Sequence, residues 1–280
     1  MPGLLVTAEE LIANPQWRIF DCRHSLANPD YGMQAYAQEH IPGAQFLHLD
    51  KDLSGPCSGK NGRHPLPDVA TFAARMGACG IGATTQVVAY DNEGGMYAAR
   101  LWWLLRWLGH DLVAVLDGGL AAWKQAALPT NSALPALTKS TFTPRPQHDM
   151  LVTVADVVNN LRSIGNDTQI IDARSPERFA GQNETLDPVG GHIPGAVNHF
   201  FSRNLDEYGR FRKAAELRED FLQVLNSQLA QNVVHQCGSG VTACHNLLAM
   251  EIAGLSGSKL YAGSWSEWCA DPARPVATGS

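Results

Sequence analysis

Val233–Gly254 reads VVHQCGSGVTACHNLLAMEIAG. A short apolar run meets a glycine-rich loop, and a helix starts directly after it. That order, strand then tight loop then helix, is the repeating unit of parallel α/β sheets, where ligands bind beyond the carboxyl ends of the strands. The loop is short, so its backbone N–H groups converge with those of the helix start into a cup for an anion. Cys237 is the first loop residue, and a thiol at that place is biased toward thiolate. Gly238 and Gly240 let the loop curl. Thr242 is placed to cap the helix, and the backbone of Gly238, Gly240, Val241 and Thr242 lines the cup.

Several chemistries compete for this loop. Gly238-x-Gly240-x-x-Ala243 fits a dinucleotide fingerprint, but the following strand region, Gly257–Tyr261, lacks the acid that such a site needs. A cysteine phosphatase needs an arginine six positions after the nucleophile, and Ala243 stands there. A thiolate that accepts and donates sulfur fits, as does a purely structural loop around a buried cysteine.

Working outward, the chain repeats itself. Ile19-Phe-Asp-Cys-Arg23 matches Ile170-Ile-Asp-Ala-Arg174, and His40-Ile-Pro-Gly-Ala44 recurs unchanged at 192–196. Val87–Asp91 matches Val233–Cys237, and LDGGLAAW ending at Trp123 matches YAGSWSEW ending at Trp268. Four blocks in one order imply two copies of one α/β domain, each a parallel sheet flanked by helices, joined by right-handed crossovers. We place the first copy at 1–130, a proline-bearing linker at 131–149 and the second copy at 150–280. Capping boxes at Thr7 and Thr153 open the first helix of each copy.

Composition sets limits. Of 280 residues 45% are hydrophobic and 17% charged, enough apolar material for two cores. No apolar stretch is long enough to span a membrane. The start lacks a basic leader, so a cytoplasmic location is expected. A net charge of −6 argues against a nucleic-acid or anionic-membrane surface. Six cysteines without C-x-x-C or zinc spacing read as reduced thiols, and no metal site is expected. A monomer is the expected state.

Asp172-Ala-Arg174, Gly191-His-Ile-Pro-Gly-Ala196, Cys237-Gly-Ser-Gly-Val-Thr242 and Gly263-Ser-Trp-Ser-Glu-Trp268 together resemble the tandem-domain rhodanese family, the thiosulfate/3-mercaptopyruvate sulfurtransferase group. The resemblance covers nearly the whole chain. It implies a relay in which Cys237 takes sulfur from a small-molecule donor as a persulfide and yields it to a thiophilic acceptor, such as cyanide, a thiol or thioredoxin. It requires no metal or organic cofactor. It also implies an inactive first copy, since Asp91 stands where the second has Cys237. Arg178 lies where such enzymes grip the donor. Arg174, with a twin at Arg23, reads as a structural ion pair.

The donor signals divide. Gly238-Ser239 is similar to the mercaptopyruvate branch, which uses a Ser–His–Asp relay, here implied to be Ser239, His64 and Asp50. That branch carries a second arginine between Arg-Phe and Gly-His-Ile-Pro-Gly, yet Gly181–Gly190 holds no Arg or Lys. Arg63 and Arg203 are the candidate substitutes. The tryptophan-rich helix Leu101–Leu108 is expected in the core, Trp265 and Trp268 either in the core or lining a pocket, and 54–64 as a lid or docking loop with an exposed Cys57. A persulfide carrier without turnover remains the alternative to an enzyme.

Overall fold

The computed structural model describes residues 3–136, 138–162 and 168–279; Leu137 of the expected linker lies outside them. The chain divides into two units. The first comprises 1–55, 66–147 and 207–211, and the second 56–65, 148–206 and 212–280.

In the first unit, β1 (Leu5–Val6), β2 (Arg18–Asp21), β3 (Gln45–Phe46), β4 (Val87–Tyr90) and β5 (Val113–Leu116) form one sheet in the order β1-β5-β4-β2-β3. All its pairings are parallel. β4 and β5 are buried at every residue, which is why both are unbroken apolar runs rather than alternating ones. Helices α1 (Ala8–Ile12), α2 (Tyr31–Gln38), α3 (Val69–Ala78), α4 (Ala98–Trp107) and α5 (Gly119–Gln125) connect the strands. The Thr7–Glu10 capping box is present. Trp102, Trp103 and Trp107 of α4 are buried, as their helical spacing predicts. Of the linker, Asn131 exchanges backbone bonds with His40, and the Ser140 N–H donates to the Gly77 carbonyl.

The second unit repeats the plan with β6 (Leu151–Val152), β7 (Gln169–Asp172), β8 (Val197–Asn198), β9 (Val233–Gln236) and β10 (Lys259–Tyr261), in the order β6-β10-β9-β7-β8 and again all parallel. Its helices are α6 (Val154–Arg162), α7 (Pro176–Phe179), α8 (Ala214–Leu225), α9 (Thr242–Ile252) and α10 (Ser264–Trp268). Trp265 and Trp268 belong to its core with Ile170, Val234 and Tyr261. The edge strands β1 and β6 are not evident in the sequence, because two residues carry no periodicity.

No helix among the described residues is long and apolar enough to cross a membrane. No disulfide joins the six cysteines, and Cys57 alone is exposed.

Candidate active site

β9 delivers Cys237 to the carboxyl edge of the second sheet, and α9 begins five residues later. The thiol is buried, and its Sγ accepts the Gly240 N–H at 3.1 Å. The loop is held from below by α10: Trp265 N–H donates to the Cys237 carbonyl and Ser266 N–H to the Gly238 carbonyl, at 3.0 and 2.9 Å. Gly240 has φ +78°, and a Cβ there would lie 2.3 Å from the Ala262 carbonyl oxygen, so glycine is required. The helix starts one residue earlier than expected. Val241 is the N-cap and makes no side-chain cap bond, so Thr242 is the first helical residue rather than the cap. The first-turn N–H groups lack intrahelical partners by construction and remain turned to the loop end.

A residue that sequence reasoning missed sits beneath the nucleophile. Ser264 has φ +54°, a left-handed conformation that non-glycine residues seldom adopt. Its Oγ accepts the Cys237 N–H at 3.1 Å and donates to the Tyr261 carbonyl at 2.9 Å. The twin position in the first unit is Gly119, at φ +56°. Serine where glycine would be relaxed marks a position at which the side chain itself is used.

The segment 56–65 belongs to this second unit and brings two residues to the loop. Gly62, at φ +84°, packs so closely that a Cβ would lie 2.7 Å from the Gly263 oxygen, and the Arg63 N–H donates to Ser266 Oγ at 3.0 Å. His64 Nδ1 then lies 2.7 Å from Ser239 Oγ, both side chains buried. Asp50 belongs to the first unit, where its N–H donates to His48 Nδ1 at 3.0 Å.

Arg178, on α7, makes a two-pronged bond with Glu184, Nε to Oε2 and Nη2 to Oε1, both 2.9 Å. Burial works to raise the Glu184 carboxyl. The Arg178 bonds and the Leu186 N–H outweigh it and hold the group below its ordinary value. Glu184 Oε1 also accepts the Leu186 and Asp187 N–H groups, and so folds the turn that presents Asp187. Asp187 in turn bonds both Arg63 and Arg178. Arg203 points elsewhere, 52% exposed and 3.8 Å from Asp220. Arg174 is structural, as its twin implied. It pairs with Asp172 at 2.6 Å, donates to the Gly191 carbonyl, and lies over the Trp265 ring, while Arg23 pairs with Asp21 in the same way.

The first unit's loop is built alike and filled differently. The Asp91 carboxylate accepts four backbone N–H bonds, from Glu93 and Gly95 to Oδ1 and from Tyr97 and Ala98 to Oδ2, at 2.7–2.9 Å. An internal anion already occupies that cup.

A family profile described as a rhodanese-like domain matches residues 5–126 and 153–271. Over 98% of both chains, the sequence is 46% identical to a Pseudomonas aeruginosa protein named "Probable 3-mercaptopyruvate sulfurtransferase". It is 35% identical to a thiosulfate sulfurtransferase of Cricetulus griseus, covering 91% of this chain and 85% of that one. Among solved structures, SseA from Escherichia coli, a 3-mercaptopyruvate sulfotransferase by its description, superposes with a TM-score of 0.81 at 32% identity. That match covers 94% of this chain and 99% of the other.

Proposed function

The chain belongs to the tandem-domain rhodanese sulfurtransferases, and on that premise we propose that it moves sulfur from 3-mercaptopyruvate, with thiosulfate the weaker donor, through a persulfide on Cys237. The observation that carries this reading is the Cys237 sulfur held in the amide cup beside the Ser239–His64 pair. In the first step the thiolate attacks the donor sulfur, a sulfur–sulfur bond forms, and the donor's carbon–sulfur bond breaks. The electron pair leaves on the enolate of pyruvate, which must gain a proton at carbon. In this reading Ser239 Oγ–H gives that proton and His64, 2.7 Å from it, returns one to the serine. In the second step an acceptor nucleophile bonds to the outer sulfur and Cys237 leaves as thiolate. The sulfur travels on the protein's own side chain, so the route calls for no metal or organic cofactor. Thiols and reduced thioredoxin are the proposed acceptors in the cell, and Asp50 is kept as the third relay residue on the resemblance alone.

Thiosulfate releases sulfite, which needs no proton on carbon. Ser239→Ala should therefore lower kcat with 3-mercaptopyruvate by about 10²-fold and leave thiosulfate turnover nearly unchanged. The first measurement is steady-state turnover of both donors with cyanide as acceptor and Cys237→Ser as the inactive control. A wild-type protein that forms the persulfide without turning over would overturn the enzyme reading in favour of a sulfur carrier.

A further inference from the structure

In the first unit, His24 and His48 stand just beyond the carboxyl ends of the neighbouring strands β2 and β3, the edge of a parallel sheet at which ligands gather. The register that pairs Asp21 with Phe46 brings the two chain exits side by side, and the imidazoles meet edge to face with ring centres 5.6 Å apart. They are 3% and 5% exposed, whereas the Asp50 side chain is 42% exposed. One ligating atom from each of His24, His48 and Asp50 lies within 4.8 Å of those of the other two. His48 Nδ1 accepts the Asp50 N–H at 3.0 Å and lies 3.9 Å from Asp50 Oδ2. That amide bond sets the neutral tautomer, with the His48 proton on Nε2 and the Nδ1 lone pair turned toward Asp50, the form in which imidazole binds a metal. Asp52 steadies the turn, Oδ2 accepting the His48 N–H and Oδ1 the Arg75 Nε–H, both at 2.8 Å. The fold itself does not demand this set. By the repeat, the second copy carries Ser175, Phe200 and Ser202 at the same three places.

We propose that His24, His48 and Asp50 form a binding site for one divalent ion of borderline softness, such as zinc, in the copy that lacks the nucleophile. Two imidazoles and one carboxylate, with water in the fourth position, are a donor set for zinc or cobalt and too poor in oxygen for calcium or magnesium. A zinc ion stands about 2.1 Å from each ligand, so two ligands of one ion lie at most about 4.2 Å apart. The 3.9 Å between His48 Nδ1 and Asp50 Oδ2 therefore already spans an ion, and rotation of the exposed Asp50 side chain closes the angle. The ion takes the Nδ1 lone pair from the Asp50 N–H, which sits on an exposed residue where water replaces the bond. The ligands include no cysteine, so cysteine spacing carries no sign of the site. No step of the persulfide route passes through it. Because the resemblance also gives Asp50 to the relay, the test reads binding rather than turnover.

The full-length protein, reduced and stripped of metal, is titrated with zinc against a chromophoric chelator. The wild type should bind one equivalent more than His24→Gln or Asp50→Asn. Each variant should weaken that site by at least about a hundredfold, since losing only an outer partner of a metal ligand already costs about ten- to hundredfold. Thiols contribute alike to all three proteins, so the difference isolates the site. No zinc on the wild type, or the extra equivalent retained by either variant, overturns the proposal. Cobalt(II) gives a second readout. The wild type should show visible d–d bands of a four- or five-coordinate ion that both variants lack, and spectra that are the same in all three proteins overturn the site. Asp50→Asn alters an exposed side chain, so it decides the matter if His24→Gln does not fold.

Discussion

Ser264 and Gly240 hold the nucleophile's loop by opposite means. At Gly240 the absence of a side chain is what matters. A methyl would meet backbone rather than a flexible tip, and φ is positive. Gly240→Ala should therefore lose about 2–4 kcal/mol of stability, read as a shift in the denaturant midpoint of the second unit. At Ser264 the side chain is retained despite a left-handed backbone, since its hydroxyl satisfies the Cys237 N–H. Ser264→Ala keeps the strain and leaves a buried donor unpaired, a cost of about 1–3 kcal/mol. Ser264→Gly removes the strain as well as the bond. The glycine variant should accordingly be the more stable of the two while forming persulfide as slowly as the alanine variant. Equal melting temperatures for the two would show that the backbone at 264 carries no strain.

The two strand–loop–helix elements show how one backbone serves an active and an inactive copy. In β4–α4 the cup is saturated by Asp91, and in β9–α9 the Cys237 sulfur takes one N–H. Asp91→Ala should destabilise the first unit by about 3–5 kcal/mol, because four N–H groups, three of them buried, lose their acceptor at once. A change below about 1 kcal/mol in chemical denaturation would mean that water replaces the carboxylate at little cost. At this scale the sequence was most readable. β4 follows from an unbroken apolar run and β9 from Val233-Val234, and in both the glycine-rich turn and the helix after it follow in turn. The place of Cys237, and the Asp91 substitution that distinguishes the copies, follow from the repeat. Arg63 and Arg203 stand as equal candidates in the sequence; the bond between Arg63 and Asp187 is not readable there, because the two are 124 residues apart and no local pattern links them. Ser264 was hidden for a different reason: a positive φ leaves no mark on a serine's neighbours in sequence.

Across the whole molecule, each unit has its own apolar cluster, and each also buries imidazole: His110 in the first, His199 and His235 in the second. Burial pushes His110 in the first unit and His199 in the second below the ordinary imidazole value. Burial, reinforced by repulsion from His199, pushes His235 down to about 3. His235 lies on β9 two residues before the nucleophile, with Nε2 3.0 Å from Met250 Sδ and no partner for Nδ1 among the described residues. A group whose folded value is depressed stabilises the fold above its unfolded value and loses that contribution as pH falls. The window for His235 therefore opens near 6.5 and runs down to about 3. Asp91 runs the other way, since burial holds its carboxyl above the ordinary value despite four N–H bonds, and its contribution is lost as pH rises through the folded value. The histidines govern the acid limb between neutrality and pH 4.5. Over that range His235 alone should remove about 2–3 kcal/mol. His235→Leu removes the titration and leaves an apolar side chain among Met250 and Phe221, so the difference in unfolding free energy between pH 7 and pH 4.5 should shrink by that amount. Urea titrations of both proteins at the two pH values measure it. An acid limb equally steep in the variant would place the sensitivity in His199 or His110 instead, and the same titrations on His199→Asn and His110→Asn would then locate it.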